Sequence, residues 1–184
     1  DAEPSLARAA QSDSSTAPFA ALELAELYLE RDWFAQAAEL LVPFASRTDI
    51  DEIAGASAAY KAAWSRYQLD EHRAVVDLLQ GRDLGELAGP GSMLLGESLL
   101  ALKRGKDAAA QFDLALRAES PNVDRDAALL RLGESHAAAQ NWRPSQRAYE
   151  QHRRDFPRSP RWYMAEFGIG WALENSSRQR DAIG

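Results

Sequence analysis

Leu130-Arg131-Leu132-Gly133-Glu134 is a helical stretch with a glycine in its middle, and the same arrangement stands 37 residues to either side. Upstream it is Met93-Leu94-Leu95-Gly96-Glu97, and downstream it is Phe167-Gly168-Ile169-Gly170-Trp171. A glycine inside a helix costs about 0.5–1 kcal/mol relative to alanine. Its return at one interval points to a steric need, a neighbouring helix passing too close for a Cβ. Twelve residues after each glycine comes a small residue: Ala108, Ser145 and Ala182. Sixteen after the first two come aromatics, Phe112 and Tyr149, and the prolines Pro121 and Pro157 follow at 25 and 24. Three features share one set of offsets, which identifies an internal repeat.

The register extends towards the N-terminus. Ala62 takes the glycine slot, followed by Ala74 and Leu78 at the small and aromatic offsets; one unit further back stand Ala25, Ala37 and Leu41. Within each unit the apolar residues follow a 3.6 period in two blocks with a short polar break. Phe19 to Leu29 and Phe34 to Phe44 break at Arg31-Asp32; Ala127 to Ala138 and Ser145 to Arg154 break at Gln140-Asn141. Pro144 sits just inside its block, where a first turn tolerates proline because that N–H is unpaired anyway. Pro18, after Ser15-Thr16, makes a similar entry. Pro157 and Pro160 end one helix and start the next. Each unit is read as a helix–turn–helix hairpin.

The composition agrees. The 184 residues include 35 Ala and 23 Leu against 4 Val, 4 Ile and 2 Thr, too few β-branched side chains to furnish a sheet. The expected fold class is all-α, an α–α superhelix of antiparallel hairpins. No cysteine is present, which excludes disulfides, thiolate catalysis and Cys-ligated zinc. With 21 basic and 28 acidic residues the formal charge is −7, the wrong sign for a nucleic-acid binder. No apolar run approaches the roughly 18 residues of a membrane span.

The pattern resembles the tetratricopeptide repeat, whose unit pairs two helices and places Leu-Gly, aromatics, Ala and Pro at fixed offsets. Leu132-Gly133, Trp142, Tyr149 and Pro157 carry the resemblance in one unit, and Leu95-Gly96, Ala108, Phe112, Ala115 and Pro121 in another. It implies a right-handed solenoid over residues 17–184. The units fall at about 18–50, 55–88, 89–122, 126–158 and a truncated 163–184, after a flexible segment 1–16. The glycine-rich Gly81 to Gly91 departs most, predicting a short second helix and an irregular connector in the second unit. The polar N-terminus without an initiator Met suggests a processed leader or a trimmed chain. The 37-residue spacing and Phe156-Pro157-Arg158-Ser159-Pro160 also resemble bacterial cell-envelope members of the family. This leans the localisation towards the periplasm or cell envelope, with the cytoplasm still open.

Stacked hairpins of this type leave a concave surface lined mainly by first helices. By the resemblance, the residue after each glycine slot points into it: Glu26, Ala63, Glu97, Glu134 and Trp171. Three residues before the slots stand Leu22, Ala59, Met93, Leu130 and Phe167. The candidate groove residues are therefore Glu26, Met93, Glu97, Leu130, Glu134, Phe167 and Trp171, an acidic row beside an apolar one. The expected partner is a protein or peptide with basic and apolar residues. Solvated helix faces are the plainer reading of the same glutamates. The family's carboxylate-clamp subclass uses Lys, Asn and Arg at groove positions that here hold Leu, Ala, Met and Glu, so it is not expected.

No catalytic constellation is found. His72, His136 and His152 share no metal-ligand spacing, and Gly89-Pro90-Gly91 lacks the Lys-Ser/Thr of a phosphate loop. His136 reads as a packed histidine, and Trp33 and Trp142 as packing at interhelix turns. No metal or cofactor is expected. The expected role is an interaction scaffold without chemistry of its own. The alternatives are a repeat segment of a larger enzyme or signalling protein, or a structural spacer that self-associates through an exposed C-terminal end.

Overall fold

The computed structural model describes residues 2–118 and 120–181, with residues 178–181 as backbone only. Among them the chain is all-α. Ten helices follow one another: α1 (Glu3–Ala10), α2 (Ala17–Leu29), α3 (Phe34–Ala45), α4 (Glu52–Gln68), α5 (His72–Leu79), α6 (Ala88–Ala101), α7 (Gly105–Arg117), α8 (Arg125–Ala138), α9 (Trp142–Asp155) and α10 (Trp162–Asp181). They form two compact units, Asp1–Leu94 and Leu95–Gly184, with the division inside α6.

In the first unit α1 packs on α2, α2 on α3, α3 on α4 and α4 on α5, while α2 also touches α4. The segment 1–16, expected to be flexible, instead contains α1. Its Leu6, Ala9 and Ala10 join an apolar cluster with Ala21, Ala25, Leu41 and Phe44. Short as it is, α1 is held by that burial rather than by propensity. The second helix of the second hairpin, α5, is only 8 residues long and leads through a 3₁₀ turn at Gly85–Leu87 into α6. That helix starts at Ala88 and takes up Gly89-Pro90-Gly91, with Pro90 in its first turn, where no intrahelical bond is lost.

In the second unit α7 packs on α8, α8 on α9, α9 on α10, and α8 also on α10. The aromatics of the register fill the glycine slots. A Cβ at Gly96 would stand 2.9 Å from Phe112 Cε1, and one at Gly133 would stand 2.6 Å from Tyr149 Cε1. Ser145, fully buried, donates from Oγ to the Gly133 carbonyl at 2.8 Å. The third slot differs. The other edge of the Tyr149 ring lies against Gly168, whereas among the described residues nothing stands within 4 Å of a Cβ at Gly170. Ala182 of the register lies outside the described residues.

Each hairpin turns on the same local motif, which falls on the polar breaks at Arg31-Asp32 and Gln140-Asn141 and on two turns the sequence reading did not name. Asp32, Asp70, Lys103 and Gln140 are left-handed, with φ of 57, 58, 60 and 57°. The next N–H in each case reaches back five residues: Trp33 to Tyr28, Glu71 to Arg66, Arg104 to Leu99 and Asn141 to His136, at 2.8–2.9 Å. These are Schellman closures, which cap the last carbonyls of the first helix while reversing the chain.

Candidate functional site

The α8–α10 face of the second unit holds a groove of about 900 Å³. Its floor is Leu130, 5% exposed, together with Tyr149, which burial pushes up to about 12. Its apolar wall comes from α10, where Tyr163, Met164, Phe167 and Trp171 fall within two and a half turns on one side of the helix. Phe167 is 73% exposed, and its ring stacks on Trp171 with centroids 6.5 Å apart and planes at 12°. The opposite face of α10 carries Ala165, Gly168, Ile169 and Ala172, the small and aliphatic residues that let it pack tightly.

The polar edge is a triad. Arg131 donates from Nε to Glu97 at 2.8 Å and from Nη1 to Glu134 at 2.7 Å. Burial pushes the Glu97 carboxyl above its ordinary range, and Arg131 only partly opposes this. Burial works against the charge of Arg131 as well, but the two carboxylates outweigh it and raise that group. One guanidinium thus serves two carboxylates, so the trio keeps a surplus of negative charge.

Five of the seven sequence-expected residues line this groove: Glu97, Leu130, Glu134, Phe167 and Trp171. Glu26 lies in the first unit, on α2, and is paired with Lys61 of α4. Met93 is half-buried on α6 and does not line the groove. The glutamates of the acidic row have cationic partners. Glu97 and Glu134 share Arg131 and Glu26 is paired with Lys61, cations that the spacing of the slots does not predict. At the equivalent positions of α4, Ala59 and Ala63 are fully buried and offer no groove surface.

A second polar cluster was missed in the sequence because its members come from three separate segments. Asp126, at the start of α8, accepts from His152 Nε2 at 2.6 Å and from Ser159 Oγ at 2.6 Å. His152 is fully buried and its Nδ1 has no hydrogen-bond partner, so Nε2 carries the proton given to Asp126. Arg161 stands 3.6 Å from Asp126 and 3.0 Å from Asp124. Burial by itself would raise the Asp126 carboxyl, but the bonds from Ser159 and His152, with the charge of Arg161, hold it below the usual range. Serine and histidine both give to the carboxylate rather than to each other. The cluster therefore lacks a nucleophile–base pair and acts as a clasp across α8, α9 and the turn into α10.

The remaining histidines and Trp142 are half-buried, and Trp33 is exposed. His136 is half-buried and shifted down by that burial, and the His72 ring meets the edge of Tyr67 at 5.5 Å. Trp33 packs on Tyr28 of its own hairpin, with the Arg31 guanidinium 4.9 Å from its ring centroid. Among the described residues no group of three or more His, Asp or Glu could hold a metal ion, and no helix is long and apolar enough to cross a membrane. Compared with models of protein families and with curated proteins, the sequence finds no match.

Proposed function

We propose that this chain is a tetratricopeptide-like interaction module whose second-unit groove captures a short amphipathic segment of another protein, with no chemistry of its own. The supporting observation is the exposed, stacked Phe167–Trp171 pair beside the Glu97–Arg131–Glu134 triad. Large exposed aromatic patches rimmed by polar groups mark interaction sites on otherwise charged surfaces. Hairpins in sequence order, with aromatic-on-glycine contacts at one offset, support the family reading.

The groove's chemistry defines the bound segment. Apolar anchors cover Met164, Phe167 and Trp171, and one Lys or Arg meets the surplus negative charge of the triad. The test is selection from a displayed library of random dodecamers. Enriched sequences carrying apolar residues and a basic one, whose binding is lost in a Phe167→Ala/Trp171→Ala chain but kept in Ile53→Ser, support the reading. Equal binding by the double variant overturns it.

A further inference from the structure

The first unit holds the chain's negative charge. Residues 1–94 carry 16 acidic and 7 basic side chains, a formal charge of −9, whereas residues 95–184 carry 12 and 14, a charge of +2. Part of that surplus stands in a row. Glu23, Glu26 and Glu30 follow one another at helical spacing along α2 and its C-cap, and all three are exposed. Of the three, only Glu26 has a cationic partner among the described residues, Lys61 of α4.

Beside this row α4 presents an aromatic one. The left-handed turn residue comes seven positions after Ala25, Gly96 and Gly133, at Asp32, Lys103 and Gln140, but eight after Ala62, at Asp70. The fully buried Ser65, Ser98 and Ser135 each stand five positions before their turn residue, so the turn sets the register of the helix that precedes it. Counted from its turn, α4 has Tyr60 and Trp64 at the positions of Leu130 and Glu134 on α8. The buried Ala59 and Ala63 fall one position short of that face. Trp64 is 40% exposed and stacks on Tyr67, with centroids 6.2 Å apart and planes at 21°, and half-buried Tyr60 extends the row. Both rows lie opposite the buried Ala21, Ala25, Ala58 and Ala62, whose cluster joins α2 to α4, so they share one face.

Two rows side by side select what can lie on them. An extended strand turns alternate side chains to opposite faces and offers the surface a single row. A helix offers two, a cationic row for the glutamates and an apolar one for the aromatics. A second copy of this chain does not supply such a helix. Its arginine-rich α9 already has the other side buried, at Ala148, Tyr149 and His152.

We propose that α2 and α4 dock a basic amphipathic helix of a partner protein. Its lysines or arginines meet Glu23, Glu26 and Glu30, and its aliphatic side chains cover Tyr60, Trp64 and Tyr67. Lys61, the one cation between the rows, is already held by Glu26. The face lies wholly within the first unit, so it stands whether or not the second-unit groove binds a peptide.

The probe is a fluorescein-labelled synthetic peptide of about fourteen residues, with leucines on one helical face and lysines on the adjoining one. At that length a free helix is marginal in water, so folding on the surface is readable. Titrated with the full 184-residue chain, it should bind saturably and one-to-one by anisotropy and gain helical circular dichroism. Trp64→Ala should weaken binding at least about tenfold. Glu23→Gln/Glu30→Gln should weaken it at least about threefold more than Glu39→Gln/Glu86→Gln, which removes the same charge from exposed positions elsewhere in the first unit. Melting curves verify that each variant is folded. Absence of saturation at millimolar peptide overturns the proposal, and so does binding without a gain of helix. Equal losses in the two glutamate pairs, or binding indifferent to Trp64→Ala, leave only the diffuse charge of the unit and overturn it too. Binding abolished by Phe167→Ala/Trp171→Ala seats the peptide in the second-unit groove, which supports that groove and overturns this face. Self-association of the chain lost on Trp64→Ala, without peptide binding, names a second copy as the occupant and overturns it as well.

Discussion

The ring of Tyr149 occupies the space where a side chain on Gly133 would begin, since a Cβ there would stand 2.6 Å from Cε1. The two residues lie on the two helices of one hairpin, and the ring's other edge meets Gly168. Gly133→Ala is therefore expected to destabilise the chain by about 1–3 kcal/mol through overpacking. Gly170→Ala, with nothing among the described residues against its Cβ position, should stabilise it by up to about 1 kcal/mol through helix propensity. Urea denaturation of both variants checks the pair, and a stabilised Gly133→Ala would show that the ring has room to move.

Four hairpins turn on left-handed residues that are not glycine. A side chain in that conformation costs roughly 1–2 kcal/mol, which glycine avoids at the expense of a more flexible unfolded chain. Lys103→Gly and Gln140→Gly are expected to raise stability by about 0.5–1 kcal/mol each. Loss of stability in either would mean that its side chain makes a contact worth more than the strain.

The Asp126 clasp makes a pH prediction. Its folded carboxyl titrates below its unfolded value of about 3.9, so its contribution is present above that value. It is lost as pH falls from there through the folded pKa. Asp126→Asn should cost about 1–3 kcal/mol near neutral pH, because buried His152 loses its charged acceptor. The variant's stability should also fall less steeply below about pH 4 than the parent's. Parallel denaturation series at graded pH decide it, and identical acid slopes would remove Asp126 from the account.

Phe167 is open to solvent, so its removal bears on association more than on folding. Phe167→Ser is expected to change stability by no more than about 0.5 kcal/mol while weakening any partner that uses the groove. Thermal melting and peptide titration on one preparation separate the two effects. A large fall in stability would show Phe167 to be part of the core instead.

Much of the fold is legible in the residues. The apolar period, the breaks at Arg31-Asp32 and Gln140-Asn141, and the paired offsets of Gly96 with Phe112 and Gly133 with Tyr149 all report helix packing. Where a ring packs on a facing helix the residue beneath it must be glycine, so the spacing of Gly96 with Phe112 and of Gly133 with Tyr149 survives in the sequence. Five of the residues that the family resemblance places in a groove line this one. Arg131 was not among them, because an ion pair across 34 residues depends on which side chains end up adjacent rather than on any period. The Asp126–His152–Ser159 clasp and the burial of α1 escaped for the same reason.

By itself, then, the sequence determined helical hairpins on a common register, because helix propensity and close helix approach act locally and leave a period behind. The tertiary structure alone decided that Gly168 and not Gly170 carries the far edge of the Tyr149 ring. It alone decided that Glu97 and Glu134 share one guanidinium, and that Phe167 stands open where Leu130 is covered. Those outcomes depend on which atoms lie against each slot, and repetition shows that a slot exists without showing what fills it.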